Sequence, residues 1–226
     1  MIVKTKVRIR EIERRTIRFF GGRSNRDLEY DFAYRNVNGE NVSILDIGGC
    51  DSLMPLLLAR VGHRVTVYDF RSYPERHHNL QFIQGDFMKN QLRSKSYDII
   101  MLISTIEHMG LGAYGISEYK DADFEVMREL KRILMDGGRL VLTFPFNEEE
   151  KIVSGFERWY SVDRIKQLFI GWYVVDFEFW APDRKLLGYW VKWVPSTVRR
   201  AGRAYMAKGV QGVACFALMN RPTDWV

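Results

Sequence analysis

The sequence predicts an α/β fold: a doubly wound, seven-stranded, mostly parallel sheet with an antiparallel last strand and helices on both faces. Three observations carry this prediction. Apolar runs before residue 145 alternate with helical or turn-rich segments. The run Tyr97–Ile103 is almost wholly apolar, as a strand covered on both faces must be. The last two runs, 173–180 and 213–219, are not joined by a simple helical crossover, so the end of the sheet reads as antiparallel. With 226 residues, 46% apolar and 27% charged, the chain suits one such domain with a short appendage and can bury a sizeable core.

Residues 1–40 are basic and then turn-rich, and read as an extension before a main domain at 41–226. Ser43–Ile47 is a short buried strand entering the Gly48-Gly49 turn. Ser52 can cap a helix over 53–60, with Pro55 tolerated in its first turn and Gly62 ending it. Residues 65–68 and Leu80–Gln84 give the second and third strands, and Tyr97–Ile103 the fourth. Phe124, Met127, Leu130, Ile133 and Leu134 recur at helical spacing, in a helix expected to stop at Gly137-Gly138. A fifth strand, 140–144, is expected to stop at Pro145, and Ser161 can cap a helix running to Phe169.

Charge is unevenly spread. Of the formal +6, residues 1–26 hold nine Lys/Arg against two Glu, and residues 184–208 hold seven Lys/Arg and no acid. The remainder carries 18 basic and 26 acidic residues, so an acidic body bears two basic segments suited to anionic partners. Two cysteines, Cys50 and Cys215, exclude a disulfide scaffold and a cysteine-based structural zinc site, and fit a reducing compartment. No apolar run approaches the ~18 residues of a membrane span, and the N-terminus lacks the apolar block of a secretory signal. A cytoplasmic location is expected, with peripheral attachment to an anionic membrane surface open to the basic segments.

The stretch Ile44-Leu45-Asp46-Ile47-Gly48-Gly49-Cys50-Asp51-Ser52 lies at a strand-to-helix turn, on the sheet edge where open α/β folds bind ligands. It does not meet the dinucleotide pattern G-x-G-x-x-G. An acid two residues before the first glycine instead resembles the cofactor loop of class I S-adenosylmethionine-dependent methyltransferases, Asp/Glu-x-Gly-x-Gly-x-Gly. Cys50 and Ser52 stand where that family has its second and third glycines; both are small. The resemblance continues at Asp69, an acid ending the second strand, at Asp86-Phe87 after the third, and at Ser104-Thr105-Ile106-Glu107-His108 after the fourth.

This resemblance implies S-adenosylmethionine as cofactor, with Asp46, Gly48, Gly49 and Cys50 around its methionine end and Asp69 accepting from the ribose diol. It places Phe70, Asp86 and Phe87 at the adenine, Ser104 on the cofactor side, and Tyr30, in a segment similar to one in some glycan and natural-product methyltransferases, as a cover. Of the Glu107-His108 pair, His108 is the candidate general base because histidine titrates near neutrality. One Glu-His pair is too few ligands for a metal, and none is expected. The adjacent His77-His78 pair reads as a solvated turn. No Asn/Asp-Pro-Pro-Tyr/Phe follows the fourth strand and no Pro-Cys occurs, which argues against amino-group and C5 methylation of bases.

The substrate must be read from the segment 184–208, an insertion of basic and aromatic residues including Leu186, Leu187, Tyr189, Trp190, Trp193 and Val194. Pro195-Ser196-Thr197 opens a helix on which Val198, Ala201, Tyr205 and Met206 can share an apolar side. Such a composition suits stacking on sugars or bases and contact with phosphate. The leading expectation is a small-molecule or glycan acceptor methylated on a hydroxyl. RNA methylation and a non-catalytic cofactor-fold protein are the alternatives, with nucleic acid ranked below the small molecule.

Overall fold

The structure, a computed structural model, describes residues 23–112, 119, 121–186 and 189–220, with residues 184–186 and 189–191 as backbone alone. The basic segment 1–22 expected from sequence lies outside the described residues. Within them the chain runs α1 (Asn25–Arg35), β1 (Ser43–Ile47), α2 (Met54–Arg60), β2 (Arg64–Asp69), β3 (Leu80–Gln84), β4 (Tyr97–Ile103), α3 (Ala122–Ile133), β5 (Leu134–Phe146) and the small hairpin β6 (Lys151–Val153) and β7 (Glu157–Trp159). It continues through α4 (Val162–Leu168), β8 (Tyr173–Leu186), β9 (Tyr189–Pro195), α5 (Val198–Gly202), α6 (Ala204–Lys208) and β10 (Gly212–Met219).

The main sheet has eight strands in the order β3-β2-β1-β4-β5-β10-β8-β9, one more than the sequence predicts. The first five are mutually parallel, and β10 is antiparallel to both β5 and β8. The antiparallel last strand is therefore correct, but it is sandwiched rather than at the edge. The eighth strand is the start of the expected insertion: β8 runs on past Trp180 and β9 returns antiparallel along it. Residues 189–195 are apolar or aromatic at six of seven positions, so no polar alternation betrayed a strand.

Strand faces alternate and feed two cores. Leu45, Ile47, Ile100, Leu102, Leu142 and Phe144 pack under α3 and α4, while Ile44, Val65, Met101, Val141 and Cys215 pack under α1 and α2. The stretch read as turn-rich thus contains a helix. A capping box starts it: Ser24 Oγ accepts from Asp27 N at 3.3 Å and Asp27 Oδ2 accepts from Ser24 N at 2.9 Å. Phe32 and Ala33 bury one side of α1, and Asn36 and Arg35 tie its end to Asp176 and Glu178 of β8.

Two strand limits differ from expectation. Helix α3 stops at Ile133, before the double glycine, and Leu134 already belongs to β5. Gly137, at φ +74°, is instead a turn within the strand, donating from its N–H to Asn220 O at 2.7 Å. Pro145 does not stop β5, because a proline lacks only its N–H; its carbonyl still accepts from Tyr160 N at 2.9 Å. Ser161 and Thr197 cap α4 and α5 as expected, through their Oγ atoms. The apolar side predicted beyond Thr197 does not form: α5 and α6 are two short pieces, burying Ala201, Gly202 and Ala204 while Met206 is 83% exposed. No described helix is long and apolar enough to cross a membrane.

Candidate functional site

Parallel strands β1, β2 and β4 end on one edge, and their loops bring most of the predicted residues together. Gly48 is left-handed at φ +79°, and a Cβ there would lie 2.6 Å from Thr105 Cγ2. A Cβ on Gly49 would lie 2.7 Å from Asp46 Oδ2. One glycine supplies the turn and the other admits a carboxylate beneath it. Burial, reinforced by the charge of Asp69 and opposed by Arg26, pushes the Asp46 carboxyl up to about 7.

Asp69 is 3% exposed and gathers local donors: Cys50 N at 3.1 Å, Arg71 N at 2.9 Å and Arg71 Nε at 3.4 Å. Arg71 also reaches Asp51 at 2.6 Å and lies over the Phe70 ring. Burial and the Asp69 charge push the Cys50 thiol far up, so it is neutral and no nucleophile. Ser52 is not the cap expected of it: Leu53 is the N-cap of α2, and Ser52 Oγ, one residue outside it, accepts from Met54 N at 3.0 Å.

Asp86 and Phe87 sit less simply. Asp86 Oδ1 accepts from Met88 N at 3.0 Å, an Asx turn. Phe87 is 6% exposed and meets Tyr68 edge-on at 5.6 Å, so its ring is a core side chain. Tyr68 at the end of β2 also reaches this turn, its O–H donating to Asp86 O at 3.4 Å. A hollow of about 480 Å³ opens between Phe87, Met88 and Asn90 and the Glu125, Val126 and Glu129 side of α3, beside this turn rather than over the Asp46–Asp69 pair. His77 Nδ1 accepts from Asn79 N, a turn contact.

At the tip of β4 the predicted Ser104, Glu107 and His108 meet two residues the sequence reading missed, Arg26 and Glu29 of α1. Ser104 Oγ donates to Glu29 Oε1 at 2.5 Å, and Arg26 Nη1 donates to Ile103 O at 3.1 Å. Tyr30 follows on the same helix, with the Arg26 guanidinium 5.8 Å from its ring. The pattern Ser24-x-x-Asp27 was the legible signal for this helix.

Glu107 is 2% exposed, and burial, opposed by its own backbone N–H and raised further by Glu29, holds its carboxyl well above the ordinary range. Its Oε1 lies 3.9 Å from His108 Nε2. His108 Nδ1 is 2.7 Å from Phe156 O. A carbonyl can only accept, so Nδ1 carries the proton and Nε2 the lone pair. Burial lowers the imidazole's pKa, which keeps it neutral at pH 7. Phe156 lies in the turn between β6 and β7, and Arg158 of β7 is anchored by Glu150 at 2.7 Å and Asp123 at 3.7 Å. Trp159 meets Tyr205 of α6 edge-on at 4.9 Å, and Lys151 Nζ lies 5.2 Å from the same ring. The insertion helices thus pack on the hairpin that holds His108.

Buried carboxylates beside a glycine turn are a chemical match for a cationic sulfonium with an amino-acid tail, and Gly48 and Gly49 leave the backbone bare where such a ligand would approach. Among the described residues no group of three or more His, Cys, Asp or Glu side chains is arranged to hold a metal.

Residues 45–142 match the family model of a methyltransferase domain. No curated protein sequence matches the chain. Among solved structures, a Burkholderia thailandensis 1,6-didemethyltoxoflavin-N1-methyltransferase with bound 1,6-didemethyltoxoflavin and S-adenosylhomocysteine is similar at a TM-score of 0.60 and 12% identity, covering 87% of this chain and 78% of that one. The [4+2]-cyclase SpnF is similar at 0.59 and 18%, over 87% and 81%. The complex between the Haloferax volcanii Trm112 methyltransferase activator and a methyltransferase named from its sequence contains a chain that is similar at 0.60 and 12%, over 87% and 89%. Likeness at such identity shows the fold, and the cyclase shows that this fold hosts more than one chemistry.

Proposed function

We infer that this S-adenosylmethionine-dependent methyltransferase, a reading carried by the match over residues 45–142 together with the fold, methylates a hydroxyl of a sugar, glycan or related small anionic acceptor. The carrying observation is His108: a neutral imidazole whose Nδ1–H donates to the Phe156 carbonyl, in the tautomer that carries its lone pair on Nε2. A hydroxyl acceptor gains more from such a base than an amine does. Gly48, Gly49 and Cys50 would line the cofactor's methionine end, Asp69 its ribose, Phe70, Asp86 and Phe87 the adenine side, and Ser104 and Tyr30 the approach from α1.

When bound, S-adenosylmethionine supplies an activated methyl on a sulfonium whose leaving group is a neutral thioether. In the transfer the acceptor O–C bond forms as the C–S bond breaks, and the hydroxyl proton passes to His108 Nε2. Alignment of the two reactants can supply about 7–11 kcal/mol. The base adds a factor of about 10²–10⁴, or roughly 3–5.5 kcal/mol. The β6–β7 turn with Phe156, and Lys151 and Tyr205 beyond it, would form the acceptor's wall. Lys151 would supply its anionic contact, because much of the insertion's charge is already met: Lys192 and Arg200 lie on Asp183, and Arg203 lies on Glu148.

The test is transfer of labelled methyl to nucleotide sugars and lipid-linked glycans, with RNA as the control acceptor. We expect His108→Gln to lower turnover about 10²–10³-fold while cofactor affinity stays within about threefold. Wild-type turnover should rise with pH through a value below the ordinary 6.5, because burial lowers this imidazole's pKa, and the variant should lack that limb. Equal turnover in the variant, or methylation of RNA alone, refutes the reading.

A further inference from the structure

Ser104, the residue that follows β4, has φ +47°, a left-handed backbone that residues other than glycine rarely adopt. Its N–H is shared between Thr143 O and Thr143 Oγ1, both at 3.0 Å. Its hydroxyl donates to Glu29 Oε1 at 2.5 Å, and Thr143 Oγ1 donates to the same oxygen at 3.2 Å. Glu29 is 1% exposed, and its Oε2 lies 3.2 Å from Arg26 Nη1, which in turn binds Ile103 O. One buried carboxylate from α1 therefore gathers the ends of both β4 and β5.

The turn at Ser104 decides where the next residues go. Thr105 is delivered against Gly48, into the space a Cβ there would take, with its Oγ1 donating back to Ile103 O at 3.2 Å. Ile106–His108 then form a single helical turn, closed by His108 N to Thr105 O at 3.1 Å and Met109 N to Ile106 O at 3.2 Å. An extended Ser104 would carry Thr105 off the glycine turn and Glu107 and His108 off the strand tips.

We propose that Glu29 is a positioning residue: by accepting from Ser104 and Thr143 it holds Ser104 in its left-handed conformation, and so sets the Thr105–His108 turn against the Gly48 loop. The inference rests on the proposed function for its consequence in catalysis, but not for the geometry it asserts. Glu29 touches neither reacting group and acts through Ser104.

A suppressor experiment tests it. Glu29→Ala should speed hydrogen exchange at the His108 and Met109 amides about tenfold and weaken S-adenosylhomocysteine binding by a similar factor, in a chain whose circular dichroism is unchanged. Glu29→Gln, which keeps an acceptor oxygen for Ser104, should stay within about threefold of wild type. Adding Ser104→Gly to Glu29→Ala should restore slow exchange at the His108 and Met109 amides, because glycine adopts the left-handed conformation without help; loss of ordinary helix packing would not be rescued this way. Unchanged exchange in Glu29→Ala, or no rescue by glycine, overturns the proposal. If wild type binds no S-adenosylhomocysteine while exchange follows the expected pattern, the clamp stands and the proposed function falls.

Discussion

The tips of β2 and β4 use the same materials, a buried carboxylate with an arginine beside it, but are wired over different distances. Asp69 takes its donors from Cys50 and Arg71, within 20 residues along the chain. Glu29 takes its donors from Ser104 and Thr143, 75 and 114 residues away. The first tip is organised by a local loop and the second by the fold. A local loop keeps its geometry while the rest of the domain varies; the β4 tip is correct only when α1, β4 and β5 are all in place.

Gly48 is where the two tips meet, so it is the harshest place to break the distinction. Gly48→Val would demand a positive φ from a β-branched residue and drive its Cβ into Thr105. Backbone strain and overpacking together should cost about 3 kcal/mol and weaken S-adenosylhomocysteine binding more than 100-fold. Urea unfolding and calorimetric titration measure the two. A variant that binds normally would show that Thr105 and the glycine turn are not coupled.

The same contrast explains what could be read from the sequence. β1, β3, β4 and the Asp46-x-Gly48 turn were legible because their signals are contiguous: an apolar run with a glycine or polar turn directly after it. Arg26 and Glu29 were not, since a polar residue on the buried side of a helix declares itself only when its partner strand is known, and that strand lies 75 residues on. The hairpin β8–β9 escaped for a related reason: its uniformly apolar stretch has no period, and only pairing with Tyr173–Leu186 makes it a strand. The Asp86-Phe87 pair was legible as a motif, but not the work it does in the fold, where Asp86 closes a local turn and the Phe87 ring packs edge-on against Tyr68.

Asp69→Ala sharpens the comparison from the local side. It removes the acceptor of Cys50 N and Arg71 N, both in a loop near solvent, so stability should fall by only about 1 kcal/mol. Cofactor affinity should fall about 10–100-fold, the worth of one or two hydrogen bonds to a charged group. The acid limb of turnover assigned to His108 should move little, because burial and the Phe156 carbonyl act most strongly on that imidazole and Arg71, the partner of Asp69, acts least. An unchanged dissociation constant would remove Asp69 from the site; a shifted limb would show that the two tips are one electrostatic unit.

The smallest expected effect on ligand binding comes from Asp46, which lies under the local loop yet feels Arg26 of the long-range cluster. Its carboxyl sits at about 7 in the folded chain against an ordinary 3.8, so between those values the folded state holds a proton that the unfolded state has released. The sign follows: this residue supports the fold at low pH, and that support is lost as pH rises from about 4 through 7. Asp46→Asn keeps the shape without the charge, and should therefore match wild type at pH 4 and be more stable at pH 8, the gap opening by on the order of 1 kcal/mol per pH unit up to about pH 7. Saturating S-adenosylmethionine, a cation, should narrow the gap at pH 8 more than its neutral-sulfur product does, since a positive charge nearby favours the ionised carboxylate. Urea midpoints for both proteins at both pH values, with and without ligand, read all of this. A wild type that loses no stability relative to the variant between pH 4 and 8 would mean that Arg26 already compensates Asp46, and that the division between local and long-range wiring fails at this residue.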